Sequence, residues 1–83
     1  MKIRFTLHSI EQCKERGTTK EEVIESINIG VSEPAKHGRT MYRANFAFNS
    51  YWNDNFYPIK QVAPIVKNEN DDLIVVTVYT FYF

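Results

Sequence analysis

Leu73-Ile-Val-Val-Thr-Val-Tyr-Thr-Phe-Tyr-Phe83 is built almost wholly from β-branched and aromatic side chains, the ones that fit a pleated, packed surface. The stretch reads as a central strand. Both of its faces are apolar, so other elements have to cover it. What precedes it is therefore expected to supply partner strands and a helical layer.

Working back along the chain, Phe56 to Val66 reads as a strand that carries Pro58 and Pro64. Each proline removes a ladder donor, which favours an edge, a bulge or a bend there. In Arg39 to Phe48, Tyr42, Ala44, Phe46 and Phe48 alternate with Met41, Arg43, Asn45 and Ala47, the two-residue period of a half-exposed strand. Asn49 to Asn55 and Asn68 to Asp72 read as turns, short enough to make the three strands an antiparallel meander. Residues 31 to 38, with Pro34 and Gly38, read as a polar connection.

Two helices are expected before that. Thr6 is placed as an N-cap for Leu7 to Arg16, with Leu7, Ile10 and Cys13 on one arc and His8, Gln12, Glu15 and Arg16 on the other. Gly17 supplies the left-handed cap that ends it. Thr19-Lys-Glu-Glu22 reads as a capping box, opening a second helix that turns Val23, Ile24 and Ile27 inward and stops near Gly30. Lys2 to Phe5 is a short edge strand by its alternation. The fold class is thus α+β, a single domain over residues 1–83. It consists of a short N-terminal strand, two helices and a three-stranded antiparallel meander, with the helices packed on one face. The other face is left partly open.

Composition narrows the function classes. Ten basic and ten acidic residues balance, so no global field gathers nucleic acid or an anionic membrane. The positive charge is concentrated in residues 1–16 and 35–67. One cysteine permits no internal disulfide, and one cysteine with two histidines is a poor basis for a closed structural zinc site. No cofactor or metal is expected. With no run of 18 apolar residues and no signal-like start, a cytoplasmic protein without membrane contact is the expectation.

The residues able to carry chemistry form a small set. Arg43 points away from the apolar side of its strand. Lys60 and Gln61 occupy opposite faces of the next, so one of them shares the open face with Arg43. If Ile74, Val76 and Val78 face the helices, Thr77 and Tyr79 face outward, although a one-residue slip of register would reverse any strand. Metal-independent RNA cleavage needs a base for the 2′-OH proton, cations for the phosphate and an acid for the leaving oxygen. His8 suits acid–base work, as a side chain whose charge changes near neutral pH. Arg16 and Arg43 suit a phosphate clamp, Tyr79 suits donation or base stacking, and Lys60 adds charge. Each also has a plainer reading. His8 can be a solvated helix histidine, Arg16 a cation favoured by the helix carboxyl end, and Arg43 and Lys60 solubilising charges. Tyr51, Trp52, Phe56 and Tyr57 suit a partner interface, His37 reads as a loop residue and Cys13 as a buried, inert thiol.

The run Thr6-Leu-His8-Ser-Ile-Glu-Gln-Cys-Lys-Glu-Arg16-Gly17-Thr-Thr-Lys-Glu-Glu-Val23, followed by Val76-Thr-Val-Tyr79, resembles a family of small bacterial proteins. That family shows a helix-opening His, an Arg-Gly helix end, a capped second helix and a closing Val-Thr-Val-Tyr strand. It is similar in fold to the BrnT-like and RelE-like toxins, in a wider group with barnase-like and colicin-like RNases. Thr18 departs from the pattern, which usually has an apolar residue there. The resemblance implies a toxin-like, metal-independent endoribonuclease with His8 and Arg16 as signature residues and Arg43 and Tyr79 beside them; Lys60 and Thr77, from the reading of the open sheet face, are expected to bind substrate. RNA and an acidic antitoxin are the implied partners. The alternatives are a non-catalytic interaction domain, forming a homodimer or binding a partner through Tyr51 to Tyr57 and Phe81 to Phe83, and nucleic-acid binding without cleavage.

Overall fold

A computed structural model describes residues 2–83. In chain order it contains β1 (Ile3–Phe5), α1 (Leu7–Arg16), α2 (Lys20–Ile29), β2 (Val31–Pro34), a 3-10 turn (Lys36–Gly38), β3 (Thr40–Trp52), β4 (Asn55–Glu69) and β5 (Asp72–Tyr82). The five strands form one sheet in the order β1-β5-β4-β3-β2. β1 runs parallel to β5 and every other pairing is antiparallel. The class is α+β, and β3, β4 and β5 make the expected meander. None of the helices is long and apolar enough to cross a membrane, among the described residues.

Three differences from the sequence expectation matter for the site. Residues 31–34 are an edge strand paired to β3 rather than a plain connection; four exposed residues ending in proline carry almost no periodic signal. β3 and β4 are longer than their hydrophobic alternation suggests, because the turn between them is only Asn53-Asp54. Both turn residues have positive φ (50° and 68°), as do Asn70 and Asp71 (50° and 66°) in the next hairpin, the conformation of a tight two-residue turn that follows the twist of the strands. The third difference is an extra residue in β5. Ile65 pairs with Thr77 but Val66 with Val75, which leaves Val76 unmatched, and a bulge of this kind switches the facing of the strand. Leu73, Val75 and Val78 therefore belong to the core beneath the helices, while Ile74 falls on the far side. Pro64 sits beside this bulge in the middle strand of the sheet, not at its edge.

The helices cover one face only. α2 packs on β3 and β4, and α1 on β5, around Cys13, Val23, Val62, Val66, Leu73, Val75 and Val78. α1 is not turned as its sequence suggests: Ser9, Gln12 and Cys13 are buried while Leu7 is 81% exposed. The reason is its position. Past β1, which pairs only with residues 73–75, the outer edge of β5 needs partners, and Gln12 Oε1 accepts the Val78 amide at 2.8 Å. Ser9 turns its hydroxyl back to the Thr6 carbonyl at 2.8 Å, so each of the two buried polar side chains of this arc holds a hydrogen bond.

The expected caps are present. Thr6 accepts from Ser9 N and Thr19 from Glu22 N, both at 3.1 Å, and Gly17 is left-handed at φ 75°. A Cβ at Gly17 would lie 2.6 Å from Trp52 and from the Tyr82 hydroxyl, so glycine is required both for its φ and for close approach. Glu22 does not close a capping box. Its carboxylate turns to the Thr18 hydroxyl at 2.8 Å and to Lys60 at 2.7 Å.

Candidate functional site

The strand register lays out the helix-free face as a grid. One row reads Asn45, Gln61, Phe81 and another reads Met41, Ile65, Thr77. Between them lies a row of Arg43, Ala63 and Tyr79, since Met41 faces Ile65, Ala44 faces Val62 and Ala63 faces Tyr79. Its centre is small, and this decides the geometry. Over Ala63, the Arg43 guanidinium reaches diagonally to within 5.5 Å of the Phe81 ring centre. Tyr79 and Phe81, two apart on β5, lie with ring centres 6.5 Å apart and planes inclined by 24°. Arg16 reaches the same row from outside: α1 flanks the edge of β5, and its guanidinium sits 5.0 Å from the Tyr79 ring. Two stacked aromatics are thus bracketed by two guanidiniums, each held by ring quadrupole attraction.

At one end of this face the turn after β2 overhangs the sheet and closes a groove of about 660 Å³. Arg43, Thr77, Tyr79 and Phe81 line it, over a floor of Met41 and Ile65, with Lys36, His37 and Arg39 along the overhang. Glu33 is the one carboxylate in the lining, and it is bound to Arg43 Nε at 2.5 Å. Three cations against one acid give the groove a positive field that the neutral chain as a whole lacks. The compensating acid lies elsewhere: Glu21, Glu22 and Glu25 on α2 and Glu69, Asp71 and Asp72 by the last hairpin. His37 holds a left-handed backbone (φ 63°, ψ 33°), sparsely populated for any residue with a side chain.

Four of the expected site residues meet here. Arg43, Thr77 and Tyr79 line the groove, and Arg16 stacks on Tyr79 from the edge. Arg16 Nε is buried without a hydrogen-bond partner among the described residues, while its backbone carbonyl accepts from the Thr80 hydroxyl at 2.9 Å and the Tyr82 hydroxyl at 2.6 Å.

Two expected residues lie elsewhere. Gln61, not Lys60, shares the open face with Arg43, and Lys60 points into the helical layer. There it is 6% exposed, bridging Glu22 at 2.7 Å and the Gly17 carbonyl at 2.9 Å, with the Phe48 ring 5.3 Å away. Its register opposite Phe46 and Tyr82 forces this. It serves the helix elbow, neutralising a carboxylate and capping the negative end of α1, and is not available to bind substrate. His8 is exposed on the first turn of α1 and lies outside the groove lining.

Lys36 and Arg39 escape the sequence reading, which takes His37 for a loop residue. The signal was there as Lys36-His37-Gly38-Arg39, a short basic run around a glycine, but nothing local says that the turn folds back over the sheet. The aromatic hairpin also divides. Trp52 and Tyr57 pack onto Tyr82, at 5.0 Å and 5.7 Å between ring centres, whereas Tyr51 and Phe56 pair edge to face at 5.5 Å and stay exposed. Burial raises the Tyr82 hydroxyl and the Cys13 thiol above their ordinary pKa ranges, so Cys13 is a buried core thiol. No protein-family model, no curated protein and no solved structure matches this chain.

Proposed function

We propose that this protein binds single-stranded RNA across the helix-free face of its sheet and cleaves it without a metal, as a toxin-type endoribonuclease. The observation that carries the reading is the combination on one face: a groove holding Lys36, His37, Arg39 and Arg43 beside the stacked pair Tyr79 and Phe81. Cations follow a phosphate backbone and aromatic faces accept unstacked bases, the two things single-stranded nucleic acid offers. In the cleavage step the 2′-oxygen attacks the adjacent phosphorus and the bond to the 5′-oxygen breaks, leaving a 2′,3′-cyclic phosphate and a free 5′-hydroxyl. His37 takes the acid–base role that the sequence reading gave to His8, being the histidine in the groove. Arg43 and Arg39 hold the phosphate as charge grows on it, and Tyr79 stacks a base. The resemblance to BrnT-like and RelE-like toxins belongs with this proposal, as does an acidic antitoxin complementary to the same cations.

The test is incubation of the purified protein with a fluorophore-labelled RNA in EDTA, scoring cyclic-phosphate ends. Arg43→Ala and His37→Ala are expected to lose at least about a hundred-fold in rate. A comparable loss in His8→Ala alone would return the acid–base role to α1. Absence of both cleavage and salt-sensitive binding in the wild type would remove the proposal.

A second reading has its own observation. Beyond the groove, Tyr51, Phe56, Phe81 and Phe83 are 70%, 51%, 43% and 55% exposed. Apolar exposure of this kind suits a second copy of the chain. Sedimentation separates the two readings: a tight dimer that dissociates in Tyr51→Ser/Phe56→Ser and does not respond to RNA supports the interaction domain.

A further inference from the structure

We infer that Asn45 reads the base edge, and that the face prefers nucleotides with an exocyclic oxygen (uridine or guanosine) to those with an exocyclic amine (cytidine or adenosine). The inference rests on the RNA reading above and adds the base class to it. It starts from a chain of three side chains whose hydrogen-bond direction is set at one end. The Arg43 guanidinium can only donate. Its Nε is held by Glu33, and its Nη1 donates to Gln61 Oε1 at 3.0 Å. The Gln61 amide is thereby oriented, and its Nε2 donates to Asn45 Oδ1 at 3.0 Å.

Asn45 is left with its oxygen engaged and its Nδ2 turned outward. Among the described residues, both Nδ2 protons are without an intramolecular acceptor. Turning this amide around would set nitrogen against nitrogen at Gln61, and turning Gln61 as well would set its amine against Arg43. Each alternative loses a bond and opposes two donors. An amide that is ordinarily free to present either end therefore presents a donor only, already oriented before a ligand arrives.

Position makes that donor useful. Asn45 and Phe81 end the same row, on either side of Gln61, so a base resting against the Phe81 ring lies over Gln61 with an edge toward Asn45. Of the phosphate-holding cations, Arg43 stands in the next row, about 7 Å along the strand from Asn45, and Arg39 lies past the Met41 row, about 20 Å away at the usual rise per residue. A nucleotide with its phosphate on the Arg39 side of Arg43 thus turns the part of its base farthest from the sugar toward Asn45. In uracil and guanine that position is a carbonyl oxygen, which accepts; in cytosine and adenine it is an amine, which meets the amide donor to donor.

The measurement is fluorescence anisotropy with labelled 2′-O-methyl oligo(U) and oligo(C) of equal length, which cannot be cleaved by 2′-OH attack. The wild type is expected to bind oligo(U) about ten-fold more tightly. In Asn45→Asp, Gln61 still donates to one carboxylate oxygen and the other faces out as an acceptor, so the preference is expected to reverse even as overall affinity falls. In Gln61→Leu the relay is cut, Asn45 is free to flip, and the preference is expected to collapse with most of the affinity retained. Both substitutions are on the solvent side of the sheet, and thermal melting confirms folding. Equal binding of the two oligonucleotides by the wild type, or a preference unchanged in both variants, overturns the base-reading role while leaving RNA binding standing. Binding of neither oligonucleotide overturns the RNA reading itself, and this inference falls with it.

Discussion

Lys60 and Arg43 lie on adjacent strands of one sheet and point to opposite faces, and they show two different uses of a cation. Lys60 is enclosed. Its ammonium is committed to Glu22 and to the Gly17 carbonyl, and around it Thr80 and Tyr82 both bond the Arg16 carbonyl while Thr18 bonds Glu22. The end of α1, whose last carbonyls have no partners within the helix, is thus tied down by side chains of the sheet. Arg43 is half-exposed and bound to an exposed carboxylate, and it passes its donor direction outward through Gln61 to Asn45. On the helix face polar groups close on one another and hold the fold together. On the open face they stop at solvent, in a row with aromatic rings.

That contrast can be broken most severely at Gly17. Gly17→Ala places a Cβ against Trp52 and Tyr82 in a left-handed conformation, adding roughly 1–2 kcal/mol for the backbone to about 1–3 kcal/mol of overpacking. Urea denaturation is expected to show a loss of about 2–5 kcal/mol, and a loss under 1 kcal/mol would mean that the elbow is looser than described. Lys60→Met comes next, at about 3 kcal/mol, because it leaves the Glu22 carboxylate and a helix-end carbonyl without their cation.

The matching change on the other face sharpens the comparison. Arg43→Met removes the same charge from a partly solvated pair, so stability is expected to move by less than about 1 kcal/mol while RNA affinity falls ten-fold or more. If Arg43→Met unfolds the chain as Lys60→Met does, the two faces are not distinct in the way argued. A finer measure is salt. Arg39→Gln and Lys36→Gln are each expected to flatten the dependence of log affinity on log salt by about 0.7, and Lys14→Gln, on the exposed side of α1, is expected to leave it unchanged.

The smallest effect is alkaline. Cys13 and Tyr82 both have raised pKa values in the fold through burial, so the folded state holds their protons more tightly than the unfolded chain. Their contribution is complete below the unfolded values and is lost as pH rises through the folded ones, from about pH 9 upward. Cys13→Ala is expected to flatten the first part of that decline in urea midpoints measured between pH 8 and 10.

How much of this was readable in the residues differs by element. The two caps, the Gly17 helix end and the meander follow from local chemistry: a threonine side chain bonds an amide three residues on wherever it sits, and a β-branched run prefers a pleated surface. Arg43, Thr77 and Tyr79 were placed on the open face by alternation alone, and they line the groove. For Thr77 and Tyr79 the placement holds although the expected facing of Ile74 does not, because the bulge at Val76 changes phase between the two halves of β5. Lys60 was misplaced for want of one bit of register, and α1 was rotated because its buried arc answers to an unpaired strand edge, which hydrophobic periodicity does not describe.

By itself, then, the amino-acid sequence determined the two helices, the edge strand β1 and the three strands of the meander, since those preferences act over a few neighbouring residues. Only the tertiary structure decided that Lys36-His37-Gly38-Arg39 hangs over the sheet, that Ala63 leaves room for Arg43 to lie across toward Phe81, and that Arg16 reaches Tyr79 around the edge of β5. Those outcomes depend on register, bulges and strand order, which join residues far apart in the chain and are set by the packing of the whole domain.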